Sequence, residues 1–120
     1  MKKQIKKLYL QQKKRYLKKI VGSSEKPRLA IFRSHKHIYG QLIDDKNGKT
    51  LVFSSTLDPL VKEINQKSNT QAAANFVGKI IGQKAIEKNI TKVVFDRGNK
   101  PYHGRIKGLA EGARESGLIF

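Results

Sequence analysis

The sequence predicts an α/β fold, a mixed-sheet sandwich laid out as a three-strand meander followed by helix, strand and helix. Three observations predict it. Between Arg28 and Thr56 apolar residues form short strand-like runs around an Asn47-Gly48 turn. From Thr70 to about Lys88 they recur at helical spacing. The apolar segment Lys92–Asp96 then separates that helix from another beginning near Arg105. A strand-helix-strand step implies a parallel pairing, so the sheet is mixed.

Each element has a local cause. Pro27 starts the first strand, Leu29 to Arg33, and the Ser34-His35-Lys36 turn bounds it. Ile38, Gly40 and Leu42 then alternate with His37, Tyr39, Gln41 and Ile43, giving a half-buried strand with two chemically different faces. Asn47-Gly48 tolerates positive φ and makes the hairpin, from which Thr50 to Ser54 returns as the third strand. Asp58-Pro59 breaks it, and Lys62 to Asn69 is expected to be a polar loop.

Asn69 or Thr70 caps the first long helix, whose stripe is Ala73, Phe76, Val77 and Ile80. Asn89 suits a left-handed C-terminal cap. After the buried strand Lys92–Asp96 comes the loop from Arg97 to Gly104. The last helix presents Ile106, Leu109, Ala110 and Ala113 on one face, Gly117 stops it, and Leu118-Ile119-Phe120 packs as a short strand or tail.

Charge bounds the function. The 120 residues carry 26 Lys+Arg against 9 Asp+Glu, a formal net charge of +17. Such a body repels itself, and a polyanion relieves the repulsion; nucleic acid is the first candidate and an anionic membrane surface the second. No cysteine is present, which excludes a disulfide framework and a thiolate zinc site. No apolar stretch is long enough to span a bilayer, and lysines interrupt any secretory signal at the N-terminus.

Half of the excess charge lies at one end. Residues 1–24 contain Lys2, Lys3, Lys6, Lys7, Lys13, Lys14, Arg15, Lys18 and Lys19 and no acidic residue. This segment is expected to be a basic N-terminal arm that neutralises phosphates, followed by a single domain over 25–120. A solvated helix is the bland alternative, but nine cations without a counter-charge exceed what solubility requires. A membrane-surface helix is disfavoured because the arm has neither Trp nor Phe.

Two further segments carry chemistry. His37, Tyr39 and Gln41 share one strand face beside Arg33 and Ser34, a row suited to stacking on bases or reaching sugar hydroxyls. An ordinary polar sheet face explains the same residues equally well. Gly40 among them would let a backbone approach closely. The loop Arg97-Gly98-Asn99-Lys100-Pro101-Tyr102-His103-Gly104-Arg105 follows a strand and precedes a helix, where α/β folds commonly bind anions. Catalytic patterns fail. His35 and His37 lack a third metal ligand, Val77-Gly78-Lys79 is no phosphate loop, and Asp44, Asp45, Asp58 and Asp96 are scattered, with Asp44-Asp45 expected at the surface.

The sequence also resembles a family. Lys26-Pro27-Arg28-Leu29-Ala30-Ile31-Phe32-Arg33-Ser34 with His37-Ile38-Tyr39-Gly40-Gln41 is similar to the opening of the bacterial-type large ribosomal subunit protein eighteen family. Lys92-Val93-Val94-Phe95-Asp96-Arg97-Gly98, Tyr102-His103-Gly104-Arg105 and the run from Leu109 to Leu118 resemble its C-terminal signature. The resemblance covers essentially the whole chain. It implies a structural, non-enzymatic protein that binds 5S rRNA and contacts 23S rRNA in the central protuberance, with ribosomal protein five as neighbour. No cofactor, membrane or small-molecule substrate is implied. The fold implied is related to the ribonuclease-H-like layout without its catalytic carboxylates, and the compartment is bacterial cytoplasm or plastid stroma.

By position, the implied RNA-facing residues are the arm lysines with Arg15, then Arg33, Ser34, His37, Tyr39, Gln41, Arg97, Tyr102, His103, Arg105 and Lys107. Gly40 stands where the family leads one to expect alanine, and Asn99-Lys100-Pro101 replaces a more glycine-rich turn. The competing readings are a metal-dependent nuclease on the same layout and a basic membrane-surface module.

Overall fold

A computed structural model describes residues 20–64, 69–98 and 100–120. The arm candidates Lys2, Lys3, Lys6, Lys7, Lys13, Lys14, Arg15, Lys18 and Lys19 therefore lie outside the described residues. The elements are β1 (Arg28–Arg33), β2 (Ile38–Asp44), β3 (Lys49–Ser55), α1 (Pro59–Ile64), α2 (Gln71–Glu87), β4 (Val94–Asp96) and α3 (Gly104–Glu115).

The sheet order is β3-β2-β1-β4. The meander is antiparallel, and β4 lies parallel to β1 with Arg28 opposite Val94 and Ala30 opposite Asp96. The crossover through α2 thus carries the chain from one edge of the sheet to the other. A parallel bridge between Lys92 and Ile119 brings the C-terminal tail alongside the approach to β4.

Alternation along β2 decides which face is covered. Ile38, Gly40, Leu42 and Asp44 are buried, while Tyr39, Gln41 and Ile43 between them are half-exposed. Leu29, Ile31, Ile38, Leu42 and Val52 of the sheet pack with Val77, Ile81, Ile106 and Leu109 of α2 and α3 into one core. Gly40 belongs to this layer: a β-carbon on it would collide with the Ile81 side chain. Helix side chains, not a backbone, lie against Gly40, and the expected close backbone approach at this residue is corrected.

Both helix ends follow their sequence signals. Thr70 caps α2, its hydroxyl accepting from the Ala73 N–H at 3.1 Å. Asn89 just beyond takes φ 61°, the left-handed cap. The stretch expected as a loop from Lys62 is partly helical. Asp58 accepts from the Leu60 N–H at 3.0 Å and Pro59 occupies the first helical position, so α1 includes Lys62, Glu63 and Ile64. Proline ends a strand, but it also starts a helix when an aspartate precedes it.

The hairpin has two features of its own. Asp44 is only 2% exposed. Its carboxylate accepts from the N–H groups of Lys46 and Asn47 and from the Asn47 side-chain amide at 2.7 Å, closing the turn from inside. The expectation of Asp44 at the surface is corrected. Between Leu42 and Ile43 the register shifts, so Leu42 faces Val52 whereas Ile43 faces Thr50. Beyond this bulge, the outer edge of β3 is closed by amines. Lys84 Nζ donates to the Phe53 carbonyl at 3.1 Å and Lys88 Nζ to that of Leu51 at 2.6 Å.

Candidate nucleic-acid interface

Parallel pairing of β1 and β4 puts their carboxyl ends at one rim of the sheet. Arg33 ends β1, the turn to His37 follows, and the loop after β4 rises beside it. Ser34 shapes that turn: its N–H donates to the His37 carbonyl at 2.8 Å, and its hydroxyl accepts from the His37 N–H at 3.1 Å. The His37 ring is held by Thr56 Oγ1 at 3.0 Å from Nδ1 and meets the Tyr39 ring edge-on at 6.5 Å. Arg105, in the first turn of α3, donates to the His37 carbonyl at 3.4 Å.

Three cations converge here. The Lys100 ammonium is held below the ordinary lysine range, first by burial and then by the nearness of Arg33 and Arg105. Among the described residues no carboxylate forms an ion pair with any of the three. A rim whose cations repel one another is electrostatically completed by an anion from outside.

The face turned away from the helices is the second part of the site. Phe32 lies opposite Tyr39, and Gln41 opposite Phe53. Phe32 is 51% and Phe53 48% exposed, an open placement for phenylalanine on a strand. Together with Tyr39 they make an aromatic surface next to the cationic rim, the combination that binds unpaired bases and their phosphates.

The remaining candidates are distributed unevenly. Arg97 and His103 are exposed at the two ends of the loop. Tyr102 turns inward: its ring packs edge-on against Phe95 at 5.9 Å and its hydroxyl accepts from Arg114 at 3.2 Å. Lys107 points to solvent within 3.9 Å of Glu111. Arg33, Ser34, His37 and Arg105 are thus brought together, Tyr39 and Gln41 adjoin them on the open face, and Tyr102 and Lys107 stand apart. Sequence reasoning missed Lys100 as a member of the rim, and Phe32 and Phe53 as members of the face. What puts both phenylalanines on the open face is the register of β1 and β3 against β2, which sequence spacing alone does not carry.

At the opposite end of the open face, Arg28 grips two carboxylates. Its Nε and Nη2 donate to Asp45 at 2.9 and 3.1 Å, and its Nη1 donates to Asp96 at 2.8 Å. The hydrogen bonds to Asp45 raise the guanidinium further above its ordinary range, and the same bonds hold the Asp45 carboxyl below the aspartate range. Asp45 and Asp96 are therefore consumed by structure. No group of three or more His, Cys, Asp or Glu side chains able to hold a metal ion occurs among the described residues.

Fold and charge together mark a basic α/β protein of the nucleic-acid-binding class, with a cationic rim beside an open aromatic sheet face. Comparison with known proteins specifies which. Residues 2–120 match the family described as ribosomal L18 of archaea, bacteria, mitochondria and chloroplast. The chain is 57% identical to large ribosomal subunit protein uL18 of Thermotoga petrophila over 111 residues, covering 92% of this chain and 91% of that one. It is 57% identical over 108 residues to uL18c of Cyanophora paradoxa, covering 89% of each, and 54% identical over 107 residues to uL18 of Synechocystis, again 89% of each.

The chain belongs to the ribosomal L18 family. It is a structural constituent of the large ribosomal subunit and not an enzyme, and its place is the ribosome, cytoplasmic in bacteria, with a plastid counterpart in uL18c.

Proposed function

We propose that the chain binds 5S rRNA and helps attach it to 23S rRNA in the central protuberance, with ribosomal protein five as its neighbour. The observation that carries the RNA-binding surface is the convergence of Arg33, Lys100 and Arg105 at one rim without an acidic partner among the described residues. Family membership and the resemblance described above support 5S rRNA as the transcript. In this reading residues 1–24 are a phosphate-neutralising arm, 25–120 form the RNA-binding domain, and the sheet order β3-β2-β1-β4 with both long helices on one face supports a ribonuclease-H-like layout.

Recognition proceeds in two stages. Long-range attraction brings RNA and protein together, and phosphate contacts from arm and rim fix their orientation. The open face then reads local shape, with Tyr39, Phe32 and Phe53 stacking on bases that the RNA leaves unpaired.

A gel-shift titration of the full chain tests this, comparing a 5S transcript with an unrelated folded RNA of equal length. Neutralising roughly six to nine phosphates lowers affinity by about three to five decades between low and moderate salt. Preference for the 5S transcript at moderate salt, lost when Arg33, Lys100 and Arg105 are replaced by Gln, is the expected result. Equal affinity for both RNAs overturns it.

A further inference from the structure

Thr56 directly follows β3 and has no exposed surface. Its N–H donates to the Ile38 carbonyl at 3.1 Å, and its hydroxyl oxygen accepts from the Ile38 N–H at 3.1 Å. The side chain is thereby pinned to the first residue of β2, and the same oxygen lies 3.0 Å from His37 Nδ1. The His37 main chain is held as firmly: its N–H donates to the Ser34 hydroxyl, and its carbonyl accepts from the Ser34 N–H and from Arg105. Nε2, at the far side of the ring, has no hydrogen-bond partner among the described residues and is not enclosed, so it meets solvent.

Counting hydrogens fixes the ring. A hydroxyl has one hydrogen and two lone pairs, whereas each nitrogen of a neutral imidazole is either donor or acceptor. The Ile38 N–H takes one lone pair of Thr56 Oγ1. Away from water the hydroxyl hydrogen then needs an acceptor, and among the described residues His37 Nδ1 is the one within reach. Nδ1 therefore accepts, and the ring hydrogen sits on Nε2. The opposite tautomer strands the buried hydroxyl hydrogen, which disfavours it by roughly five- to a hundredfold.

The choice matters beside a rim that carries Arg33 and Arg105. An Nε2–H attracts a phosphate oxygen, while a bare Nε2 lone pair repels it. We propose that Thr56 is a positioning residue: it fixes the His37 tautomer and ring plane, so that His37 presents its Nε2–H to a phosphate of the bound RNA. The inference rests on the reading of this rim as the RNA surface.

Two measurements on the full-length chain, at about pH 8 where an ordinary imidazole is neutral, test this. One is the pair of ring nitrogen resonances of His37 in the free protein; the other is affinity for a 5S transcript. The proteins are native, Thr56→Val, Thr56→Ser, His37→Ala and His37→Ala/Thr56→Val. The expected native spectrum is that of the Nε2–H tautomer. Thr56→Val should move both resonances toward those of histidine in a short peptide and weaken binding roughly three- to thirty-fold, while Thr56→Ser keeps both native properties. In the His37→Ala background the loss caused by Thr56→Val should vanish. Equal losses with and without the imidazole would mean that Thr56 only supports the fold, and that result overturns the proposal, as does native-strength binding by His37→Ala. Should Thr56→Val not fold, the spectra of the native chain and Thr56→Ser still decide, because an Nδ1–H tautomer in either overturns it. The underlying reading is judged on the native chain alone: no preference for the 5S transcript over an unrelated folded RNA sinks the surface, whereas a wrong spectrum or equal losses sink only the role of Thr56.

Discussion

Gly112 of α3 lies against the main-chain carbonyl of Asn75 of α2, with no space for a β-carbon between them. Gly78 meets the Leu109 carbonyl in the same way from the other helix. The two helices therefore touch backbone to backbone, and side chains at these positions would force them apart. Gly112→Ala improves intrinsic helix propensity by about 1 kcal/mol, whereas overpacking a tight contact costs about 1–3 kcal/mol. Packing wins here, because the obstacle is backbone and cannot swing away. The expected outcome is a lower urea midpoint and a lower Tm for Gly112→Ala. A higher Tm would mean that the helices separate at little cost.

Acid should loosen the Arg28 clamp in a predictable window. The Asp45 carboxyl is held below the ordinary aspartate range, chiefly by the Arg28 hydrogen bond, with burial opposing and the Gly22 N–H assisting. A depressed carboxyl contributes stability that is fully present above its unfolded value, about pH 4, and is lost as pH falls through the lower folded value. Thermal melts between pH 6 and pH 2 should show the native chain losing more Tm below pH 4 than Asp45→Asn does. Parallel curves for the two proteins would show that Asp45 stores no such stability.

The open face separates stability from recognition. Phe32 and Phe53 leave about half of their surface in solvent. Replacing both by Ala should therefore change the melting temperature little, while each lost stacking contact with an unpaired base weakens 5S transcript binding by about 1–3 kcal/mol. Binding titrations and melts on the same preparations check this. Full retention of affinity would assign the two rings no part in recognition.

The strands, both long helices and the capping residues were legible in the sequence because each signal is local. Thr70, Asn89 and Gly117 sit where the chain itself changes direction, and no distant contact is needed to read them. What was missed depends on long-range or register information. Phe53 is the clearest case. Counting back from the Asn47-Gly48 turn without a bulge sets Val52 opposite Gln41, on the open face; the shift at Leu42/Ile43 exchanges the two and turns Phe53 outward. Phe32 sits in the short apolar run of the first strand, where the sequence does not tell one face from the other. Its pairing opposite Tyr39 puts it on the open face. The Arg28–Asp96 contact spans 68 positions, beyond any spacing argument. Of the site, the loop and the Arg33–Tyr39 segment were legible as basic and aromatic. Their meeting at one rim was not, since it follows from β4 joining β1 instead of β3.

The amines of Lys84 and Lys88 seated on the β3 carbonyls have a consequence for the free molecule. A sheet that ends in unsatisfied acceptors invites another chain to continue the ladder, and a cation planted on each acceptor repels such a guest by charge as well as by occupancy. The same two lysines therefore lower the tendency of the free chain to pair with a second copy along β3.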